Sequence, residues 1–406
     1  MNQVAEPQES IPKSKLRRRY RRSRQVNKAC DGIVARVLVV GQTPPPFVGQ
    51  WVMIEKMLSG TYQHAALHHV RMNFSGSVNE IGQFQLTKIF HLTGVVARII
   101  WGRIRHNTNV LYYPPAGPKK VPVLRDIALL LATRWMFKSV VLHFHAGGVS
   151  EIQQQLKWPV RTLFRLAYHR ATVGIQLTEK NPDDCGLLDV RHRVTVPNGI
   201  TDVAADFPRK QSDASWVPTI LFVGMLCEPK GLFVLLAAAS ILRQRGVDFR
   251  LQIVGGFDND DTKTRVHDFV AKSDLSDCVT FSGVLTGDDK WRAYAGADIF
   301  CFPTHYPSES FGLVVIEAMM FGLPVVATDW RGVSTIVDDQ ETGYVVPVRD
   351  DQRMADRLND LIDDPALAQR FGDAGRRKFI DCYTFETFCQ NMENAFVLAV
   401  QDPKHR

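Results

Sequence analysis

Short valine-rich runs alternate with helical stretches along this chain, and this pattern restricts its fold more than any other feature. The first run spans residues 34–40 and ends at Gly41, before three turn-forming prolines, so it is predicted to be a buried strand. Further strand-like runs follow at residues 69–72, 109–112, 140–144, 172–177 and 193–196. Strands that alternate with helices predict a parallel sheet with helices on both faces.

The second half of the chain repeats the alternation. Its strand-like runs lie at residues 219–224, 250–255, 279–282, 299–301 and 344–347, and another begins at Pro324. Helices are predicted at residues 230–245, from 288, and at 312–321, 354–362 and 385–400. Because 406 residues exceed one ordinary core, two domains are expected.

The formal net charge of +7 arises in the first 29 residues, which hold nine Lys and Arg against two Glu. The remainder is neutral in sum, so a basic fold is not predicted. The arm has few apolar residues and is predicted to be disordered. It is either a solvated tail or, through residues 13–28, an attachment to an anionic membrane surface. No nucleic-acid partner is expected, since no aromatic platform accompanies the charge.

The sequence also bears on the cellular compartment. No apolar segment follows the arm, so a secretory signal is not predicted. The longest apolar stretch, residues 127–144, contains Arg134 and Lys138, which a membrane-spanning helix rarely tolerates. Seven scattered cysteines indicate reduced thiols. We therefore expect a cytoplasmic protein, which would be peripheral at the inner face of the plasma membrane if the arm binds lipid.

Residues 303–328 place two carboxylates, Glu309 and Glu317, in an otherwise almost wholly apolar segment. Glu317 lies on a predicted helix whose neighbouring positions are all apolar, so its carboxylate should be buried. Burial of an unpaired carboxylate is costly, and the local sequence supplies no hydrogen-bond donor. A ligand with vicinal hydroxyls would supply donors. The alternative is a core helix with one capping and one internally paired glutamate.

The same helix is predicted to begin at Gly312. Free backbone N–H groups of Phe311, Gly312 and Leu313 at a helix start form a site for phosphate oxygens. Hydroxyl acceptors beside an anion site suggest a nucleotide sugar.

Glu309 and Glu317, with seven residues between them that include Phe311-Gly312, resemble the paired-glutamate signature of retaining GT-B glycosyltransferases of family 4. The resemblance implies two Rossmann-like domains facing across a cleft, with Glu309 towards the donor sugar and Glu317 on the ribose. It also implies that the last helix crosses back to the first domain. The expected parts are a basic arm (1–32), an acceptor-side domain (33–205), a nucleotide-sugar domain (206–384) and the crossing helix (385–406).

Two positions in the first domain are candidates for ligand contacts. Gly49 lies between the first strand and its helix, where a glycine lets backbone approach a bound group or simply makes a turn. The spacing from Gly41 to Gly49 does not match a dinucleotide-binding fingerprint. His145 stands at the carboxyl edge of a strand, with His143 deeper on the same face. A histidine there is often structural; the resemblance implies a contact with the sugar or acceptor.

In the second domain, Gly224 lets a turn approach a ligand and Lys230 places a cation at a helix start. The family resemblance implies that Lys230 contacts the donor diphosphate. The arginine of the family pattern is replaced by Met225, so the usual pair of cations is incomplete. Arg331 is a candidate to assist Lys230 in stabilising the charge of the leaving group.

Asp258 and Asp260 form a D-x-D motif of the metal-binding type, but we prefer an acidic loop that caps the next helix. No metal or cofactor is expected.

The predicted function is therefore transfer of a sugar, with retention, from a UDP or GDP sugar to a carbohydrate or lipid-linked acceptor hydroxyl, in envelope polysaccharide or glycolipid synthesis. The alternatives are a nucleotide-sugar epimerase or a phosphorylase on the same fold, or a carbohydrate-binding subunit without activity.

Overall fold

The computed structural model describes residues 34–45, 49–72, 87–208 and 217–402. The basic arm and its predicted membrane contact lie outside these residues. Residues 206–218, which are polar and end at a proline, are predicted to be a linker, and most of them lie outside the described residues too.

The first half of the chain forms one parallel sheet of six strands in the order β2-β1-β3-β4-β5-β6. The strands are β1 (Ala35–Gly41), β2 (Ala65–Arg71), β3 (Val110–Tyr113), β4 (Ser139–Phe144), β5 (Val173–Gln176) and β6 (His192–Thr195). Five of them fall within one residue of the predicted runs. Strand β2 begins four residues earlier than its run, because its side chains are only half-buried.

Helices cover both faces of this sheet. They are α1 (Gly49–Ser59), α2 (Thr87–Arg105), α3 (Lys120–Thr133), α4 (Val160–Tyr168) and the short α5 (Asp184–Leu187). Helices α2, α3 and α4 pack side by side on one face, through a core that includes Ile99, Ile127 and Phe164. Helix α1 packs on the other face, where Met53 and Ile54 are buried.

The second half forms another six-stranded parallel sheet, in the order β12-β11-β10-β7-β8-β9. Its strands are β7 (Thr219–Val223), β8 (Arg250–Val254), β9 (Val279–Gly283), β10 (Ile299–Phe302), β11 (Val325–Thr328) and β12 (Gly343–Val346). Its helices are α6 (Leu232–Gln244), α7 (Asp260–Lys272), α8 (Gly287–Ala295), α9 (Leu313–Met320), α10 (Val333–Ile336), α11 (Asp351–Asp363) and α12 (Pro365–Cys382). The strand order reverses between β7 and β10, and ligands bind at such a point in open parallel sheets. The predicted α/β class with two doubly wound sheets is confirmed.

The last helix, α13 (Phe385–Gln401), packs against the first sheet. Phe388 and Phe396 are fully buried there, and the Ser139 hydroxyl donates to the carbonyl of Ala399 at 2.5 Å. The first and last described segments, β1 and α13, thus lie in the same domain.

Helix α12 was not predicted. Its start signals are present, since Asp364 caps the Leu367 N–H and Pro365 follows. Gly372 and Gly375 argue against a helix by propensity. The structure explains Gly372: a Cβ there would lie 2.1 Å from the carbonyl oxygen of Gly322, so only glycine permits this packing.

Within the described ranges, no helix is long and apolar enough to cross a membrane. The stretch 127–144 is the end of α3, a 3-10 turn and β4. The six cysteines that lie in these ranges are free thiols.

Candidate functional site

The loops that follow β7 and β10 meet where the second sheet reverses its strand order. Gly231 makes this approach possible. It has φ 81°, and a Cβ on it would lie 2.0 Å from the carbonyl oxygen of Pro303. The preceding 3-10 turn, Glu228–Lys230, therefore presents its last side chain to the loop that carries Glu309.

Lys230 and Glu309 form an ion pair. The ammonium nitrogen lies 2.5 Å from Oε2 of the carboxylate, and the two side chains are 17% and 13% exposed. The ammonium also lies over the rings of Phe302 and Tyr306, at 5.4 and 5.1 Å from the centroids. An ammonium carries three protons, so Lys230 keeps donors for a ligand while it binds Glu309.

Helix α9 starts close to this pair. Gly312 precedes it with φ 82°, and within the described part of the chain no side chain caps this start. The ring of Phe311 is buried against Tyr383, so Phe311 can offer a ligand only its backbone. The N–H groups of residues 311–313 remain the predicted phosphate contacts.

The donors to Glu317 come from the protein itself, as in the alternative of an internally paired glutamate. Glu317 is buried as predicted, at 7% exposure. However, Lys290 Nζ donates to Oε1 at 2.7 Å and the Tyr294 hydroxyl donates to Oε2 at 2.8 Å. Both donors come from α8, more than twenty residues upstream. A carboxylate has about four acceptor positions, so a ligand hydroxyl can share these oxygens but is not required by their burial.

Lys290 and Tyr294 are thus site residues that the sequence reasoning missed. Their spacing of four places both on one face of α8. The Tyr294 ring is fully buried and stacks on Phe321 at 5.8 Å, which fixes its hydroxyl on the carboxylate. Burial and the charge of Glu317 raise the Tyr294 pKa well above its usual value, so it stays a donor. The sequence signal that could have identified them is this pair of hydrogen-bond donors, four residues apart on a neighbouring helix.

In the first domain, His145 lies just beyond the end of β4, and His143 lies deeper, with the two rings 3.9 Å apart. The Tyr112 hydroxyl lies 2.8 Å from His143 Nδ1 and 3.4 Å from His145 Nε2. Burial lowers the pKa of His145 to about 3. His145 is therefore neutral at physiological pH and can offer a hydrogen bond but no charge.

The structure brings these first-domain residues to the second-domain loops. The Ser310 hydroxyl, next to Glu309, donates to the carbonyl of His145. A Cβ added to Gly49 would lie 3.7 Å from the Leu313 side chain, so the starts of α1 and α9 face each other. His145, Glu309 and Gly49 are therefore grouped at one edge of both domains.

Helix α1 contributes a further cation that was not predicted. Burial lowers the pKa of Lys56, and the charge of Glu317 partly offsets this effect while that of Lys290 adds to it. The side chain of Lys56 thus lies within electrostatic reach of the Glu317 pair.

Gly224 and Met225 follow β7. The Gly224 N–H donates to the carbonyl of Val254 at 3.0 Å, so this amide is used within the protein. Met225 is 43% exposed, which leaves room for the larger side chain of the family pattern.

Arg331 Nη1 is buried without a partner among the described residues. The next residue, Gly332, packs on Ser310, so Arg331 lies near the start of α9.

The Asp258-Asp260 loop caps α7, but the capping residue is Asn259, whose side chain accepts the Thr262 N–H at 2.8 Å. Asp260 and Asp261 form the first turn of the helix. In the ranges that the structure describes, no three His, Cys, Asp or Glu residues are grouped to hold a metal ion.

Solved structures share this two-domain architecture. Sucrose-phosphate synthase from Thermosynechococcus elongatus aligns with TM-score 0.65 and 20% identity over 88% of this chain and 97% of its own. Anabaena HepE, solved in complex with UDP, aligns with TM-score 0.67 and 16% identity over 88% and 98%. At such identities the likeness establishes the fold, which is the GT-B fold of glycosyltransferases.

Sequence relatives are more specific. Residues 205–378, almost all of them in the second domain, match the family model of the glycosyl transferases group 1. The phosphatidyl-myo-inositol mannosyltransferase of Mycolicibacterium smegmatis is 37% identical over 177 residues, which cover 43% of this chain and 44% of the relative. The O-antigen chain mannosyltransferase C of Escherichia coli is 30% identical over 216 residues, which cover 51% and 55%. The chain thus spans about half the length of the curated relatives it matches.

Proposed function

We propose that this protein is a retaining glycosyltransferase that moves a sugar from a nucleoside-diphosphate donor, a UDP or GDP sugar, to an acceptor hydroxyl. The two relatives described above are mannosyltransferases, others are a kanosaminyltransferase and an inositol-phosphate glycosyltransferase, and a fold neighbour was solved with UDP. These names support the class of reaction.

One observation carries the proposal: Lys230, Glu309 and the uncapped start of α9 converge at the switch point of the second sheet. When the bond to the sugar breaks, negative charge grows on the departing diphosphate. An ammonium and backbone N–H groups fixed in advance at that place stabilise this charge most in the transition state. Gly224 and Gly49 would allow the backbone to approach the phosphates.

The two glutamates would bind donor hydroxyls. Glu309, held by Lys230, would accept from the sugar, and Lys230 would bridge it to the diphosphate. Glu317 would accept from the ribose hydroxyls while Lys290 and Tyr294 hold its carboxylate in place. The charge of Glu317 is already compensated by protein groups, so binding of the nucleotide sugar does not have to neutralise it. The role of Glu317 would therefore be to make the site selective for ribose hydroxyls.

His145 would contact the sugar or the acceptor as a neutral hydrogen-bonding group. Its carbonyl is tied to the Ser310 hydroxyl, so the first domain positions the loop that carries Glu309. A general base on His145 is not part of the proposal, since a pKa near 3 makes it a poor proton acceptor.

We further propose that transfer needs no metal ion, because protein cations and a helix start would bear the leaving-group charge. The acceptor would be a carbohydrate or lipid-linked intermediate of envelope polysaccharide or glycolipid synthesis. The protein would act in the cytoplasm, with residues 13–28 drawn to the anionic inner face of the plasma membrane.

The test is a screen of UDP and GDP sugars for thermal stabilisation, followed by an assay for nucleotide release with and without candidate acceptors, in buffer that contains EDTA. Nucleotide release only in the presence of acceptor supports transfer. Formation of an isomeric nucleotide sugar without acceptor and without nucleotide release would instead indicate an epimerase, and formation of a sugar phosphate from a glycoside and phosphate would indicate a phosphorylase.

A second candidate, a carbohydrate-binding subunit without activity, is favoured by Met225 in place of the family arginine and by the internal pairing of both glutamates. It predicts that no nucleotide sugar raises the melting temperature, or that stabilisation by a sugar is indifferent to Glu317→Ala.

A further inference from the structure

The outer surface of α2, α3 and α4 is both basic and apolar. We call it the outer helical face and define it as the exposed residues between 91 and 170 on these helices and their connections. Seven large apolar side chains are at least 40% exposed there: Trp101, Ile104, Leu124, Trp135, Trp158, Leu163 and Leu166. Three of them are tryptophans exposed by 63%, 72% and 83%. Scattered single apolar residues need no explanation, but seven on one helical layer do.

The same surface concentrates positive charge. Residues 91–170 hold twelve Lys and Arg against Asp126 and Glu151, a net of +10, and Asp126 is fully buried. Residues 171–406 hold 24 Lys and Arg against 35 Asp and Glu, a net of −11. The body is neutral in sum, as the sequence analysis found, but this sum combines two segments of opposite net charge. Exposed cations on the face include Arg98, Arg105, Lys157, Arg161 and Arg165.

Hydrogen bonds hold the face together as one surface. Arg103 Nε donates to the carbonyl of Met136 at 3.0 Å, which joins the end of α2 to the turn after α3. Arg134 donates to the carbonyls of Leu166 and His169 at 2.7 and 2.9 Å, which joins that turn to the end of α4. Arg103, Ile104 and Trp135 line a common depression. The exposed apolar residues thus project from a rigid support.

We propose that the outer helical face docks on an anionic lipid surface, independently of the basic arm and of the proposed transfer reaction. Tryptophan prefers the boundary between lipid headgroups and acyl chains, and exposed leucine and isoleucine gain by entering it. Arginine and lysine around them are attracted to anionic headgroups. The aliphatic residues distinguish this surface from one for RNA, because bases stack on aromatic rings and gain little from leucine.

The face lies on the side of the first sheet opposite to α1 and the crossing helix α13. Docking would leave both of these helices uncovered. Helix α3 starts after β3, at the carboxyl edge of the sheet where His145 lies, so the face extends from the site edge to the far end of the domain.

The test uses the full chain with its nine arm Lys and Arg replaced by Gln, so that the arm no longer attracts lipid. Co-sedimentation is measured with vesicles of phosphatidylcholine alone and of phosphatidylcholine mixed with phosphatidylglycerol. We expect binding to the anionic vesicles only, and quenching of tryptophan fluorescence by lipids brominated in their acyl chains.

Two triple variants in this background remove each contribution. Trp101→Ser, Trp135→Ser and Trp158→Ser together should abolish the quenching, and Arg98→Glu, Arg161→Glu and Arg165→Glu together should weaken binding by at least about tenfold. The matched control is Val284→Ser with Ile380→Ser, which removes exposed apolar side chains from the second domain. Circular dichroism checks that each variant folds.

Three results would overturn the proposal. The first is that the arm-neutralised chain fails to bind anionic vesicles. The second is that the control variant loses as much binding as the face variants. The third is that single-stranded RNA binds the face and vesicles do not displace it.

Discussion

The pairing of Glu317 with Lys290 and Tyr294 gives a prediction that separates a ligand contact from a purely structural role. Tyr294→Phe removes the donor 2.8 Å from Oε2 and keeps the buried ring on Phe321. A hydrogen bond to a charged group contributes about 1.5 to 3 kcal/mol. The free energy of unfolding, measured by urea denaturation, should therefore fall by roughly 2 kcal/mol.

Glu317→Gln changes the charge itself. The amide oxygen still accepts a hydrogen bond, but it is a weaker acceptor for ligand hydroxyls than a carboxylate oxygen. The amide NH2 group places a donor opposite Lys290 or Tyr294, which are donors themselves. Nucleotide affinity, measured by calorimetric titration with UDP and GDP, should fall by about 10- to 150-fold, the equivalent of 1.5 to 3 kcal/mol. Tyr294→Phe should weaken nucleotide binding much less than this, since Lys290 still holds the carboxylate and Oε2 then has one competing donor fewer.

The control is Glu393→Gln, a buried glutamate of α13 that accepts the His64 N–H far from the site. It should lower stability without an effect on nucleotide affinity. The reasoning is refuted if Glu317→Gln binds nucleotide as tightly as the natural chain, or if Tyr294→Phe weakens binding as much as Glu317→Gln does.

Three further predictions concern neighbouring residues. Because burial lowers the pKa of His145 to about 3, protonation favours the unfolded chain, and the free energy of unfolding should fall as the pH drops from 6.5 towards 3. His145 should account for about 2 kcal/mol of this loss at pH 5. His145→Gln should reduce the loss, measured by denaturation at pH 7 and pH 5. Lys230→Ala should lower the transfer rate by about 100- to 1000-fold in the nucleotide-release assay, and full turnover would disprove its assignment. Met225→Arg, at an exposed position, should raise UDP or GDP affinity by roughly threefold to tenfold, and an unchanged Kd would show that the missing arginine has no part in binding.

Most of the fold could be predicted from the sequence, because buried parallel strands are short apolar runs with clear ends. Strands β4 and β7 lie within one residue of their predicted bounds. Helix α12 could not be predicted in this way, since Gly372 contradicts helix propensity and is explained only by the carbonyl of Gly322 against which it packs.

The site was predictable in part. The segment around Glu309 and Gly312 contains its own signal, a glycine-started helix with two acids in an apolar context. The structure groups His145, Gly49 and Lys230 with it, while their ligand contacts remain predictions.

The sequence by itself determined the α/β class, the approximate positions of the strands and the burial of Glu317, because these follow from the local pattern of apolar and polar side chains. Tertiary structure alone decided which groups pair with Glu317, since Lys290 and Tyr294 lie 27 and 23 residues away along the chain. It also decided where the charge lies in space. The net charge of the chain does not show that three helices pack side by side, which places ten net positive charges and three tryptophans on one domain.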